Sequence, residues 1–362
     1  MPSIQAKIVG DFCNLRCTYC RDRDFDQGRV RVMSGETLSV LIRAVSALPQ
    51  SVLRMHWLGG EPTLAGLDFF REVVRLQALC SGGNWRNTIQ TNATLITSDW
   101  ARFFKAHNFK VGVSIDGTQE THDLDRVNLS DKGSYRQAMQ GVAVLRDAEV
   151  NPSVICVITR RNVGLGAQML RSLVNNGFTN ISFNAFYNTA TDPSRDDYAV
   201  SDSEWTQFLK DVFEEWVRID RPDVKVREID QMLAWTQGKI AKSCVFRGTC
   251  SSWLLVDHDG AVYPCERLGR PTSFGNVRDS SFTEMLKGSR YREFAFRTRE
   301  VPNKCQKCEM KNFCHNGCVA HRTDDGDSAP HYVYCGSRLA FHKLLQNSVG
   351  TLGSLASHTE RG

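Results

Sequence analysis

Between residues 6 and 218 an apolar, strand-like run gives way to a helix-patterned one six times. That repetition leaves few folds open. Strands are predicted at 6–10, 52–58, 86–91, 110–115, 152–158 and 180–185, and helices at 34–48, 67–79, 98–107, 134–147, 165–176 and 203–218. The first helix illustrates the pattern: Ser34 can cap it, Leu38, Leu41, Ile42 and Val45 share one face, and Pro49 ends it. Strand-then-helix units with right-handed crossovers build a parallel sheet. With the helices outside, six units make an incomplete α/β barrel, open on one side. Its active site belongs at the C-terminal ends of the strands.

The polar motifs collect at those ends. The first strand runs into Asp11–Arg21, where Cys13, Cys17 and Cys20 are spaced C-x3-C-x2-C and Tyr19 precedes the third cysteine. Three thiolates on one loop fit poorly to structural zinc, which wants four protein ligands. They suit a [4Fe–4S] cluster with one iron left open. The open iron can chelate S-adenosylmethionine (SAM), and an electron passed into the sulfonium would release a 5′-deoxyadenosyl radical. Gly59-Gly60 lets backbone approach a ligand closely, and Glu61 can accept from an ammonium group such as the SAM amine. Asn92 and Ser114 suit ribose or carboxylate contacts, Asp116-Gly117 ends the fourth strand, and Arg126 can pair with the SAM carboxylate.

The thirteen cysteines are unevenly placed, five before residue 200 and eight between 244 and 335. This is the arithmetic of metal binding and not of disulfides, which reducing compartments keep open. Cys80 and Cys156 are expected to be core thiols. The net charge of +5 is too small and scattered to argue for nucleic acid or an anionic membrane. MPSIQAKIVG has no basic-then-apolar leader pattern, and no run of ~18 apolar residues occurs, so a cytoplasmic location is expected. The alternating charges of Arg21–Asp26 read as a solvated face, or as a lid over the substrate entrance.

Cys244, Cys250 and Cys265 flank a hairpin signal, WLLVDHDGAVY, and Cys305, Cys308, Cys314, Cys318 and Cys335 follow. Eight cysteines suffice for two fully ligated clusters, with zinc ribbons as the alternative. The whole arrangement resembles radical SAM enzymes with a C-terminal SPASM domain, and more narrowly the anaerobic sulfatase-maturating enzymes. The stretches that carry the likeness are CNLRCTYC, GGEPTLAGLDFF, QTNATLI, VGVSIDG with HDLDR, DGAVYPC and the last five cysteines.

The resemblance implies a partial (β/α)6 barrel over 1–235 and a SPASM domain over 236–347, and the Ser-, Gly- and Thr-rich composition of 348–362 suggests a flexible tail. It implies three [4Fe–4S] clusters: one on Cys13, Cys17 and Cys20, auxiliary cluster I on Cys244, Cys250, Cys265 and Cys318, and auxiliary cluster II on Cys305, Cys308, Cys314 and Cys335. A peptide or protein substrate and a flavodoxin- or ferredoxin-type electron donor follow as partners. Three positions depart from the sulfatase maturases. Glu266 stands where they carry Asp after the third auxiliary cysteine, Leu58 where they carry Gln before GGEP, and Arg21-Asp22 where they carry an aromatic pair. Glu266 is the expected general base. Cofactor positions match while substrate positions differ, which implies a maturase that abstracts a side-chain hydrogen, at Cβ, from a different peptide. The alternative is formylglycine formation on a sulfatase Cys or Ser.

Overall fold

The computed structural model describes residues 2–22, 31–80, 83–188, 193–248, 250–268, 270, 273–324 and 326–349. The proposed tail, apart from its first residues, and Arg23–Asp26 of the charged run lie outside them. The chain divides into two compact units. The first comprises Met1–Ser114, Asp123–Pro152 and Cys250–Thr298, and the second Ile115–His122, Ser153–Thr249 and Arg299–Gly362.

Four parallel strands run through the first unit: β1 (Ser3–Lys7), β2 (Leu53–Leu58), β3 (Trp85–Thr91) and β4 (Lys110–Ser114), paired in that order. Helices Gly35–Ser46, Leu67–Leu79 and Ser98–Ala106 follow the first three. Ser34 caps the first of these by accepting from Thr37 N, and Leu38, Leu41, Ile42 and Val45 are buried, as their spacing predicts. Trp57, Phe70, Trp100, Phe104 and Phe109 meet edge-to-face or tilted at 5.4–6.1 Å, and burying such rings contributes several kcal/mol, roughly 1.5–3 each.

In the second unit β5 (Ser153–Ile158), β6 (Asn180–Ala185) and the two-residue β7 (Lys225–Val226) are parallel neighbours. Helix Asp202–Ile219 starts on a complete Ser201/Glu204 capping box and stacks Trp205 on Phe208 at 5.0 Å. All six predicted strand–helix units are present, and the expected α/β class holds, with a cysteine-rich C-terminal part.

One boundary differs from the sequence reading. The first strand is Ser3–Lys7, not 6–10. Ile8 and Val9 look strand-like because they are apolar and buried, yet the chain already turns there: Gly10 N–H reaches Lys7 O at 3.2 Å with φ +58°. The C-terminal hairpin β8 (Trp253–Asp257) and β9 (Ala261–Tyr263) belongs to the first unit, because β8 lies parallel to β1 on the side away from β2. A short β10 (Gly275–Asn276) extends this edge.

Candidate cluster and cofactor site

The three-cysteine loop is fixed by backbone bonds to two other segments. Arg16 N–H donates to Val127 O and Thr18 N–H to Asp125 O, both at 2.8 Å, while Glu61 N–H donates to Phe12 O at 2.9 Å. Cys13, Cys17 and Cys20 then face one cavity of about 950 Å³ in the first unit. Tyr19, Gly59, Gly60, Glu61, Asn92, Ser114, Arg126 and Glu266 line it as well. Burial, followed by the Glu61 charge, holds the Cys13 thiol far above its usual range. Burial and the Asp22 charge push Cys20 up to about 12. Thiols so placed ionise only when a cation sits among them, which is the donor set a metal cluster requires. Leu15 N–H, 3.4 Å from Cys13 Sγ, adds a donor to sulfur.

The motif residues take up different duties. Gly60 has φ +48°, and a Cβ there would lie 1.8 Å from Phe12 O; one on Gly59 would lie 1.9 Å from Lys7 Cγ. The close approach these glycines allow is therefore to the cysteine loop and to Lys7. Glu61 is held by the two motifs around it. It is 1% exposed, and its carboxylate accepts from Thr63 N (3.1 Å), Thr63 Oγ1 (2.7 Å), Thr91 Oγ1 (2.7 Å) and Asn92 N (2.7 Å). Three of these bonds fall on Oε1 and one on Oε2, so the carboxylate ties GGEP to QTNAT while Oε2 keeps capacity for a further donor.

Asn92 Nδ2 lies 3.8 Å from Cys13 Sγ and donates to Asn14 Oδ1 at 2.9 Å. Gln90 Nε2 donates to Ser114 Oγ at 3.0 Å. The Arg126 guanidinium stands over the Tyr19 ring, 5.5 Å from its centroid. Asp116 belongs to the second unit, where it is fully buried and accepts from Val157 N at 2.8 Å. Cys156 is also fully buried there, its Sγ 2.8 Å from Ile115 O, as a core thiol should be; Cys80 is half-buried at the end of its helix.

A charge network on the cavity wall was not legible in the sequence. Lys7, 2% exposed, pairs with Asp11, with Asp22 at 2.8 Å and with Glu266 Oε1 at 3.1 Å. Arg21 reaches the same Glu266 oxygen at 2.9 Å, so Arg21-Asp22 is part of this wall and not a solvated face. Burial alone would lower the Lys7 ammonium, but Glu266, Asp22 and Asp11 outweigh it and hold it above its usual range. Burial raises Glu266, and Asp22 adds to this against Lys7 and Arg21. Glu266 Oε2 is enclosed without a partner.

Arg270 links Asp11, at 2.7 Å, to Asp257, which also pairs with His258 Nδ1 at 2.9 Å. Burial would raise Asp257, but the hydrogen bonds from His258 and Arg270 hold it at about 2, against 3.8 ordinarily. A depressed carboxyl stabilises the fold above its unfolded value. About 2 kcal/mol is therefore expected to vanish as pH falls from about 4 to about 2. Acid titration followed by circular dichroism checks this; Asp257→Asn should flatten the dependence in that window.

The later cysteines divide between the units. Cys250 and Cys265 belong to the first, where Arg267 N–H lies 3.3 Å from Cys265 Sγ; Cys244 and Cys318 belong to the second. Cys305, Cys308, Cys314 and Cys335 line one small cavity in the second unit. Burial, then the charges of the other three, raises Cys335 to about 11. None of the thirteen cysteines forms a disulfide.

Residues 7–166 match the model of the radical SAM superfamily, and residues 244–309 match the SPASM iron–sulfur cluster-binding domain. The chain carries a radical SAM domain and a SPASM domain. It is 29% identical to a cysteine-type anaerobic sulfatase-maturating enzyme of Clostridium novyi, over 98% of this chain and 97% of that one. It is also 29% identical to a serine-type enzyme of Klebsiella aerogenes, over 90% and 81%. Among solved structures, native anSMEcpe with bound AdoMet and Cp18Cys peptide superposes with a TM-score of 0.87 at 27% identity, covering 98% and 99% of the two chains. These two domain matches support SAM and iron–sulfur clusters as the chain's cofactors. Among the described residues no helix is long and apolar enough to cross a membrane.

Proposed function

We propose that the chain is a peptide maturase that oxidises or cross-links a side chain of its substrate at Cβ, with three [4Fe–4S] clusters on the cysteine sets given above. The observation that carries this reading is the cavity itself. Three cysteine thiols, the Arg126 guanidinium and Glu266 share about 950 Å³, room for a cluster, SAM and a peptide side chain. Bound there, the open cluster and SAM supply a radical that takes hydrogen from an unactivated carbon.

The chain's own residues do the rest. Arg126, packed over Tyr19, offers its guanidinium to the SAM carboxylate. Gly59, Gly60, Asn92 and Ser114 contribute backbone and small polar groups to the same wall, and Asp116 fixes the turn after β4. Lys7 and Arg21 both hold Glu266 Oε1 and so position the carboxylate on the cavity wall, where it would receive the substrate proton as the oxidised centre loses its electron. Auxiliary clusters held by the later cysteines would accept that electron, and a flavodoxin- or ferredoxin-type donor in the cytoplasm would supply the reducing electron. Glu266→Gln is expected to keep forming 5′-deoxyadenosine while losing modified peptide by at least a factor of ~100, since hydrogen abstraction precedes the proton transfer. Product chromatography on both species checks this. Full product from the variant would remove Glu266 from the role of base.

Formylglycine formation on a sulfatase Cys or Ser is the second reading, favoured by near full-length similarity to enzymes of that name. Glu266 argues against it, because its carboxylate stands one methylene, ~1.5 Å, further out than an aspartate would. Incubation with Cys- and Ser-type sulfatase peptides separates the readings: efficient conversion promotes the second.

A further inference from the structure

Arg338 lies in the first turn of helix Cys335–Val349 and is 6% exposed. Its guanidinium carbon sits 4.5 Å from the Tyr332 ring centroid and 4.9 Å from that of Phe246. Nη1 donates to Cys314 Sγ at 3.1 Å, and Nη2 donates to Val245 O and Tyr332 Oη, both at 3.2 Å. No carboxylate pairs with it among the described residues. This is a permanently charged group buried against two aromatic rings, with only a carbonyl, a phenol and a cysteine sulfur for partners.

A lone buried cation costs several kcal/mol, and neutral acceptors do not neutralise it. The anion it lacks is the one that Cys305, Cys308, Cys314 and Cys335 would together create, for those four sulfurs and Arg338 line the same cavity. A four-iron cluster held by four thiolates is anionic, and its reduced state carries one more negative charge than its oxidised state. A buried guanidinium bonded to a ligand sulfur therefore favours the reduced state, since hydrogen bonds and nearby charge set the potentials of such clusters.

We propose that Arg338 raises the reduction potential of auxiliary cluster II; this rests on the cluster assignment above. Reduction adds one electron to the cluster. No bond is made or broken, and Arg338, already charged, takes up no proton.

The test uses full-length, anaerobically reconstituted protein, titrated with dithionite and followed by electron paramagnetic resonance. Arg338→Met is expected to retain its iron and to shift the reduction equilibrium of one cluster about tenfold or more toward oxidised, ~59 mV for one electron. Should that variant fail to load, Arg338→Gln carries the test, because it keeps a donor and removes the charge. An unchanged midpoint with full iron overturns the proposal. So does failure of both variants to load, which would make Arg338 purely structural. Failure of the underlying assignment looks different: Cys305→Ala with Cys335→Ala, in an otherwise unchanged chain, would keep all its iron.

Discussion

Replacing Cys13, Cys17 and Cys20 together with alanine is expected to leave about eight of about twelve irons and to abolish SAM cleavage outright. The loop that carries them is tied by backbone bonds to Val127, Asp125 and Glu61, none of which involves a sulfur. The fold should therefore survive the loss of its thiols, and circular dichroism should be unchanged. Iron and acid-labile sulfide assays, with chromatography for 5′-deoxyadenosine, read the two effects separately. An intact unmodified protein that carried zinc, or only four irons, would rule out the partition of eleven cysteines into three, four and four. Residual SAM cleavage by the triple variant would move the cofactor to another site.

The second large effect concerns stability. Lys7→Met leaves Asp11, Asp22 and Glu266 facing a space from which their shared cation has gone. Removing one partner of a buried ion network costs about 3–5 kcal/mol, because the remaining charges stay desolvated. Urea denaturation at matched cluster content should show a loss of that size, and one below ~1 kcal/mol would mean that water reaches the site. Adding Glu266→Gln to Lys7→Met should recover part of the loss, since the two sites share an interaction and cannot be additive. The pH dependence has a definite sign. A lysine held above its usual value of 10.5 stabilises the fold fully below that pH, and its contribution disappears as pH rises beyond it.

Local patterns made most of the scaffold legible. The helix Leu67–Leu79 has its predicted bounds, and the strands after the first lie within a residue of theirs. Hydrophobic periodicity is a short-range signal and reports short-range structure. The first strand was misplaced because burial of Ile8 and Val9 in a turn has the same composition as burial in a strand.

What sequence reasoning missed depends on partners far apart in the chain. Glu61 reads as a lone polar group, and its bonds to Thr91 and Asn92, thirty residues on, appear only in the fold. Lys7 and Glu266 are separated by 259 positions, Asp11 and Arg270 by the same number, and no window contains both. Two signals were present nonetheless: a lysine inside an apolar strand, and an arginine three residues beyond Cys335, each a charge in a place where burial is expected.

The position of β1 has a consequence for the order of synthesis. Its one edge is completed by β2, but the other waits for β8, which begins at Trp253. At about 5–20 residues per second, the ribosome needs roughly 12–50 s to deliver that partner. For this interval the first strand of the nascent chain presents open N–H and C=O groups to any other extended segment. The cysteine loop directly after it waits as well, since Glu266 and Arg270 arrive still later. Iron can therefore reach the loop before the wall that encloses it has been made.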